Sequence, residues 1–423
     1  MDINIAKKKN VSAEFTAPPS KSYTHRALIA AALAQGTSVI RKPLVADDID
    51  VTTEALKKLG IEIMQCNECV IVKGCGGVLP DMGDVTIDCR NSGTSLRLLA
   101  TFALLSPSKI TLTGSERMKQ RPAKGLCDAL KQAGADIKFL GMTGYPPFRI
   151  SGELRGGRII IDASKSSQFV SSVMLCSPYA DSPVDIMPKG SVVSRSYVDI
   201  TTDIMRKFGA NVYLTPDRTW HVSQSVYNAT DYTIEGDYSS ASYFFAIAPV
   251  CGGKIKVNNL NTESVQGDRA FLIALHDMGC KISKGKNSVT VKCDGGIKGV
   301  AADMTSCPDT VQTLCAVAAF ASTKTVINGI SHLKYKESDR IDAIEDMVVK
   351  SGCGFEAGEN SISITPGEVH GFAADPNDDH RTAMSSAIIG LGTGGVTVKG
   401  SECVSKSFPG FWDELRRAGL LEE

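Results

Sequence analysis

Two kinds of apolar pattern alternate along the chain. The first is apolar nearly all round a helix: residues 27–34, 98–105, 169–176, 241–250, 314–321 and 383–390. A helix with no polar face belongs inside a core. The second is an amphipathic segment stopped by glycine, at residues 55–60, 129–134, 204–209, 274–279, 344–352 and 415–419. Glycine past the last periodic residue is a helix stop because it enters the left-handed region without a Cβ penalty. Both series recur every ~70–75 residues, and a fixed period marks repeated supersecondary units. Six units account for the whole chain.

Short alternating stretches complete each unit. Residues 3–15 read as strand, turn and strand, 37–40 as a strand, 48–59 as an exposed helix, and 61–65 and 70–73 as two further strands. The unit is β-α-β-α-β-β, and 110–113, 128–133, 135–139 and 148–150 repeat its later elements. Strands and helices in this order predict α/β or α+β layers with crossover connections. A chain of 423 residues suits two domains of three units, each large enough for its own core.

A polar junction opens each buried helix. In order these are Ser20-Lys21-Ser22, Asn91-Ser92-Gly93-Thr94, Ser164-Lys165-Ser166-Ser167-Gln168, Gly236-Asp237-Tyr238-Ser239-Ser240, Pro308-Asp309-Thr310 and Asp378-Asp379-His380-Arg381. Asn91 or Ser92 suits an N-cap, and Gly93 lets a ligand approach the backbone. Free amides and the positive end of the helix dipole make such a start an anion site. Basic residues gather at or just after the junctions: Lys21, Arg26, Arg97, Arg121, Lys336, Arg340, Arg381 and Lys406. The acids Asp309, Glu337 and Asp339 stand beside them. Converging junctions of this kind suit an anionic small metabolite, or two of them.

Composition narrows the partners. Lys plus Arg and Asp plus Glu both number 46, so the formal net charge is zero and neither nucleic acid nor an anionic membrane is favoured. No apolar run approaches a bilayer span, and Met1-Asp2-Ile3-Asn4 opens no signal-peptide pattern, which predicts a cytoplasmic protein. The 13 cysteines include one close pair, Cys66-Asn67-Glu68-Cys69, with no second CxxC to complete a zinc site. They read as small reduced thiols. Gly390-Leu391-Gly392-Thr393-Gly394-Gly395 fits GxGxxG but ends a helix and precedes a strand, the reverse of a dinucleotide fingerprint.

Three motifs give a specific resemblance. Pro19-Ser20-Lys21-Ser22-Tyr23-Thr24-His25-Arg26, Asn91-Ser92-Gly93-Thr94-Ser95-Leu96-Arg97 and Lys336-Glu337-Ser338-Asp339-Arg340 resemble signatures of the 5-enolpyruvylshikimate-3-phosphate synthase family of enolpyruvyl transferases. Arg121-Pro122, Ser166-Ser167-Gln168, Asp379-His380-Arg381 and Lys406-Ser407-Phe408-Pro409 are further matches, in family order along the full length. The resemblance implies a two-domain inside-out α/β barrel with three repeats per domain around buried parallel helices. Residues 1–19 with 237–423 would form one domain and 20–236 the other, with the active site in the cleft between them. It implies a monomer that joins shikimate 3-phosphate to phosphoenolpyruvate without metal or cofactor.

The resemblance also implies roles. Lys21, Gly93, Arg121, Arg340, Arg381 and Lys406 would hold phosphoenolpyruvate. Lys21, Ser22, Arg26, Ser166, Ser167, Gln168, Ser194, Tyr197, Asp309 and Lys336 would hold shikimate 3-phosphate. Asp309 would serve as base, with Glu337 and Lys21 moving protons at the methylene carbon. Planar Arg forks suit carboxylate and phosphate, and an addition needs one proton out and one in. His332 stands where many members have Asn, and Ser92 where Ala is frequent. Two alternatives stay open at this point. A UDP-N-acetylglucosamine enolpyruvyl transferase would have Asn at position 22 and a Cys in the loop 115–121, where this chain has Ser22 and no Cys. A non-catalytic repeat protein would not need anion-binding groups at successive junctions.

Overall fold

The computed structural model describes residues 1–422. The chain divides into two compact units, Met1–Pro18 with Glu235–Glu423, and Pro19–Ile234. The helices are α1 (Lys21–Leu33), α2 (Asp47–Lys58), α3 (Gly93–Phe102), α4 (Lys124–Gln132), α5 (Gln168–Cys176) and α6 (Ser196–Lys207) in the central unit. The other unit carries α7 (Tyr238–Cys251), α8 (Ala270–Asp277), α9 (Val311–Ala318), α10 (Arg340–Lys350), α11 (His380–Thr393) and α12 (Phe411–Arg417).

The odd-numbered helices are the ones without a polar face, and they are buried. In α1 every residue from Tyr23 to Leu33 is buried, as are all of α9 and all of α11 up to Gly392. They form the centres of two separate apolar cores, one per unit. α3 packs on α5 in one core, and α11 on both α7 and α9 in the other.

Among the described residues the strands form six sheets, five of four strands and one of three. One repeat shows the plan. Asp84–Asp88 runs parallel to Lys109–Thr113 with α3 as the crossover between them. After α4, the hairpin Ala135–Phe139 and Phe148–Gly152 adds to the sheet antiparallel. A parallel pair needs a crossover of this length, and the hairpin needs only a turn. The pair Gly157–Ile161 and Val184–Pro188 brackets α5 in the same way, and Ala301–Asp303 with Thr325–Asn328 brackets α9.

Within each unit, strands far apart in sequence close the sheets. Asp231–Thr233, at the end of the central unit, pairs parallel with Gln35–Arg41 at its beginning. Val11–Thr16 pairs parallel with Gly253–Asn258, and Ile3–Ile5 closes the three-stranded sheet against Val396–Val398. Residues 235–238 belong to the terminal unit through their bonds. The Asp237 amide donates to the Pro18 carbonyl, and Gln266 Nε2 donates to the Gly236 carbonyl at 2.8 Å. Glycine is required at 236, where an added Cβ would lie 1.8 Å from the Asn259 carbonyl oxygen.

Two local expectations are corrected. α2 is not an exposed helix: Asp48, Ile49, Val51, Thr52, Thr53, Ala55 and Leu56 are buried, and solvent reaches Glu54, Lys57 and Lys58 on the other face. Its small and β-branched positions pack against α1, which the charged residues in its sequence obscured. α1 stops at Leu33, short of the end of the apolar run 27–34, and the strand expected at 37–40 begins earlier, because the chain turns directly into Gln35–Arg41. The glycine-rich run at 390–395 is a helix exit, with Gly394 at φ 79° between α11 and the strand Val396–Val398. The cysteines are free thiols, most of them buried. Among the described residues no helix is long and apolar enough to cross a membrane.

Candidate active site

The buried helices start differently in the two units. In the central unit α1, α3 and α5 begin after Ser20, Ser92 and Ser167; in the terminal unit α7 and α11 begin after Asp237 and Asp379. A serine leaves the positive end of a helix without a fixed counter-charge, whereas an aspartate brings its own. Asp237 Oδ1 accepts from the amides of Ser239 and Ser240 at 2.7 and 3.2 Å, and Asp379 Oδ1 from that of Arg381 at 2.9 Å. The central unit is thereby suited to receive anions, and the terminal unit to hold carboxylates against cations.

At the start of α3, Ser92 is the cap. Its Oγ accepts from the Ser95 amide at 3.4 Å and meets Ser95 Oγ at 2.7 Å. Hydrogen bonds continue from Ser95 Oγ to Thr52 Oγ1 and on to His25 Nδ1, at 2.7 and 2.8 Å, so three helices fix this junction. Gly93 faces Arg121: an added Cβ would stand 2.6–2.7 Å from the guanidinium atoms. One turn along, Arg97 donates to Gln168 Oε1 at 2.7 Å, and Gln168 Nε2 donates to Thr94 Oγ1 at 2.9 Å. Gln168 thus ties the start of α5 to α3. Ser166 Oγ accepts from the Gln168 amide at 3.3 Å, and Ser167 is buried beside it.

At the start of α1, Lys21 pairs with Asp48 at 3.0 Å. Arg26, one turn deeper, is 1% exposed. It donates to Thr201 Oγ1, the Ser22 carbonyl, Ser171 Oγ and the Tyr197 carbonyl, at 2.7 to 3.3 Å. Burial pulls its pKa down to about 10, only partly opposed by the phenols of Tyr197 and Tyr23. No carboxylate is among these influences, so a bound anion would relieve the cost of burying this cation. Ser194, near Tyr197, holds a left-handed φ of 53°, a conformation that costs free energy in a residue with a Cβ.

In the terminal unit the predicted residues form one network. Arg340, 1% exposed, donates to Asp309 Oδ1 at 3.0 Å, Glu337 Oε2 at 2.7 Å and Asp379 Oδ2 at 3.0 Å. Burial opposes its charge, but Asp379, Glu337 and Asp309 together outweigh that and push its pKa up. Arg381 donates to Asp309 Oδ2 at 2.7 Å and to the Asp309 carbonyl at 3.0 Å. Lys336 stands 4.0 Å from Asp309. Three cations therefore balance three carboxylates in a half-enclosed setting. Lys406 is buried at the end of the 3₁₀ turn Ser401–Lys406, which packs on α11. His332 is also buried, and burial, then the nearby Lys336, drives its pKa down to about 3. It is a neutral imidazole at physiological pH, able to hydrogen bond as an amide would.

The predicted residues fall into local clusters: Lys21 on Asp48, Gly93 on Arg121, Arg26 on Tyr197, Gln168 on Arg97, and Asp309 with Lys336, Glu337, Arg340 and Arg381. Sequence reasoning missed Asp48, which reads as one of several acids at the start of α2. It also gave no role to Asp379, whose second oxygen accepts from Arg340 Nε and Ser338 Oγ. Its place in a helix cap beside Arg381 was the available signal.

Comparison with known proteins bears on this constellation. A family model described as EPSP synthase (3-phosphoshikimate 1-carboxyvinyltransferase) matches residues 5–415. The chain belongs to the EPSP synthase family. A 3-phosphoshikimate 1-carboxyvinyltransferase of Methanoculleus marisnigri is 52% identical over 422 residues, covering 100% of both chains. A relative of the same name from Serratia proteamaculans is 37% identical over 410 residues, 96% of this chain and 95% of its own. A solved EPSP synthase from Acinetobacter baumannii superposes with a TM-score of 0.82 at 26% identity, covering 99% of this chain and 98% of that one. The mixed α/β architecture is therefore that of the family's solved structures.

Proposed function

We propose that this protein transfers the enolpyruvyl group of phosphoenolpyruvate to the 5-hydroxyl of shikimate 3-phosphate and releases phosphate, as a cytoplasmic enzyme of the route to chorismate. The observation that carries the reading is the guanidinium of Arg340 shared by Asp309, on the Pro308–Thr310 turn, and Glu337, just ahead of α10, beside further cations. The hydroxyl oxygen adds to C2 of phosphoenolpyruvate while its proton passes to Asp309. C3 gains a proton, with Glu337 and Lys21 as the groups that exchange it. The tetrahedral intermediate then breaks its C2–O bond to phosphate, and C3 gives a proton back. In each domain three repeats surround the buried helices as an inside-out barrel.

Lys21, Gly93, Arg121, Arg340, Arg381 and Lys406 take phosphoenolpyruvate. Ser22, Arg26, Ser166, Ser167, Gln168, Ser194, Tyr197 and Lys336 take shikimate 3-phosphate. The buried Arg26 supports its part, since its burial is eased by an anion. Two anionic substrates repel each other in water, and fixed cations remove that barrier while aligning them. Phosphate release should require phosphoenolpyruvate and shikimate 3-phosphate together. Release with UDP-N-acetylglucosamine in place of shikimate 3-phosphate would move the assignment to the related transferase, and release with neither acceptor would remove it.

A further inference from the structure

Behind Asp309 lies a carboxyl group that neither substrate set includes. Asp268, in the 3₁₀ turn Gly267–Arg269, is 2% exposed. That turn packs against the start of α7 and against the turn Pro308–Thr310, which carries Asp309. From α7, Ser239 donates a hydrogen bond to Asp268, and Asp237 faces it as a second carboxylate. The charges of Asp309, on the Pro308–Thr310 turn, and of Arg381, on α11, act on it, and its own charge acts on the Cys307 thiol. Arg269, next to it in sequence, is engaged with the Ser264 carbonyl.

The segment leading to Asp268 is itself anchored. Gln266 Oε1 accepts from the Tyr238 amide at 2.9 Å, and Gln266 Nε2 donates to Glu235 Oε1 at 2.6 Å as well as to the Gly236 carbonyl. Asn261 Nδ2 donates to Glu235 Oε2 at 2.9 Å. Residues 261–268 therefore form a brace between the chain crossing at 235 and the turn that bears the proposed base.

We infer that Asp268 is a positioning residue for Asp309, holding the Pro308–Thr310 turn in place through its buried carboxyl group. The inference rests on the assignment of Asp309 as base. Burial, then the charges of Asp309 and Asp237, push the Asp268 pKa from 3.8 up to about 7. With its proton in place Asp268 supports the turn without adding charge beside Asp309. Ionised, it repels Asp309 and competes for Arg381. The folded protein keeps a proton between pH 3.8 and about 7 that the unfolded chain releases, so stability falls as pH rises through that window.

Asp268→Ala and Asp268→Asn, in the full chain, test this. Asp268→Ala should lower kcat by about 10–100-fold, with KM for shikimate 3-phosphate changing by less than about threefold. Asp268→Asn, which keeps the shape of the protonated acid, should recover about tenfold of that loss and lack the alkaline fall in kcat that wild type shows. The melting temperature of Asp268→Asn relative to wild type should rise from pH 5 to pH 8, and rise less in an Asp309→Asn background. Wild-type kcat and pH profile in both variants would overturn the inference, as would a loss confined to KM or a melting difference independent of pH. If Asp268→Ala does not fold, the Asp268→Asn profiles decide. If wild type turns over neither substrate, the functional reading fails separately, and the melting comparison still decides whether Asp268 and Asp309 are coupled.

Discussion

Asp309→Asn should reduce kcat by about two to four orders of magnitude, the range ascribed to a positioned general base. The substitution preserves shape and one acceptor oxygen, so shikimate 3-phosphate affinity should change far less than turnover. It also leaves Arg340 and Arg381 with one carboxylate fewer between them. Breaking a buried pair costs about 3–5 kcal/mol, and the partial exposure of Asp309 and the remaining partners Glu337 and Asp379 reduce that. The melting temperature should therefore fall measurably while the protein still folds. A pre-steady-state assay separates the two effects, because loss of the base slows the addition step in fully folded enzyme. Turnover within about tenfold of wild type would remove Asp309 from the proton transfer.

Gly93→Ala should have the second largest effect, and by an indirect route. The new methyl does not enter open space but meets the Arg121 guanidinium at 2.6–2.7 Å. That guanidinium ends a flexible side chain, so the backbone can stay and the cation must move. Arg121 is proposed to hold phosphoenolpyruvate, and its displacement should raise KM for that substrate. Overpacking a tight site costs about 1–3 kcal/mol, or roughly one to two orders of magnitude in affinity. Arg121→Lys should weaken phosphoenolpyruvate in the same way, and Gly93→Ala added to it should cost little more. Additive losses in the double variant would place the methyl against the substrate itself, and an equal loss for both substrates would mean that the α3 start is damaged.

The repeat was legible because its driving force is local. A run such as Phe169 to Cys176 has no polar face to turn outward, whatever it packs against, so its burial follows from its own composition. Glycine stops and strand–helix order were legible for the same reason. The pairing of Val11–Thr16 with Gly253–Asn258 was legible only through the resemblance, which put residues 1–19 with 237–423, since nothing in either strand names a partner more than 200 residues away. α2 was misread because a surface helix and a half-buried one with acids in the first turn have the same charged positions. The proposed site residues were read from contiguous motifs, most of them a helix start with its first turn. What escaped was the partner brought from elsewhere: Asp48 for Lys21, Arg121 for Gly93, Asp268 for Asp309. Such pairings depend on how helix starts are arrayed, which is a property of packing.

In the proposed reaction C3 of phosphoenolpyruvate is protonated and then deprotonated, with C2 tetrahedral between the two steps. Running the reaction in deuterium oxide tests this directly, with mass spectra of the product and of recovered phosphoenolpyruvate. Addition from solvent converts the methylene to a CH₂D group, whose rotation lets elimination remove hydrogen and leave deuterium behind. Deuterium is expected in the vinyl group of the product, and in recovered phosphoenolpyruvate when the addition reverses. Product formed in full yield with an unlabelled vinyl group would contradict it.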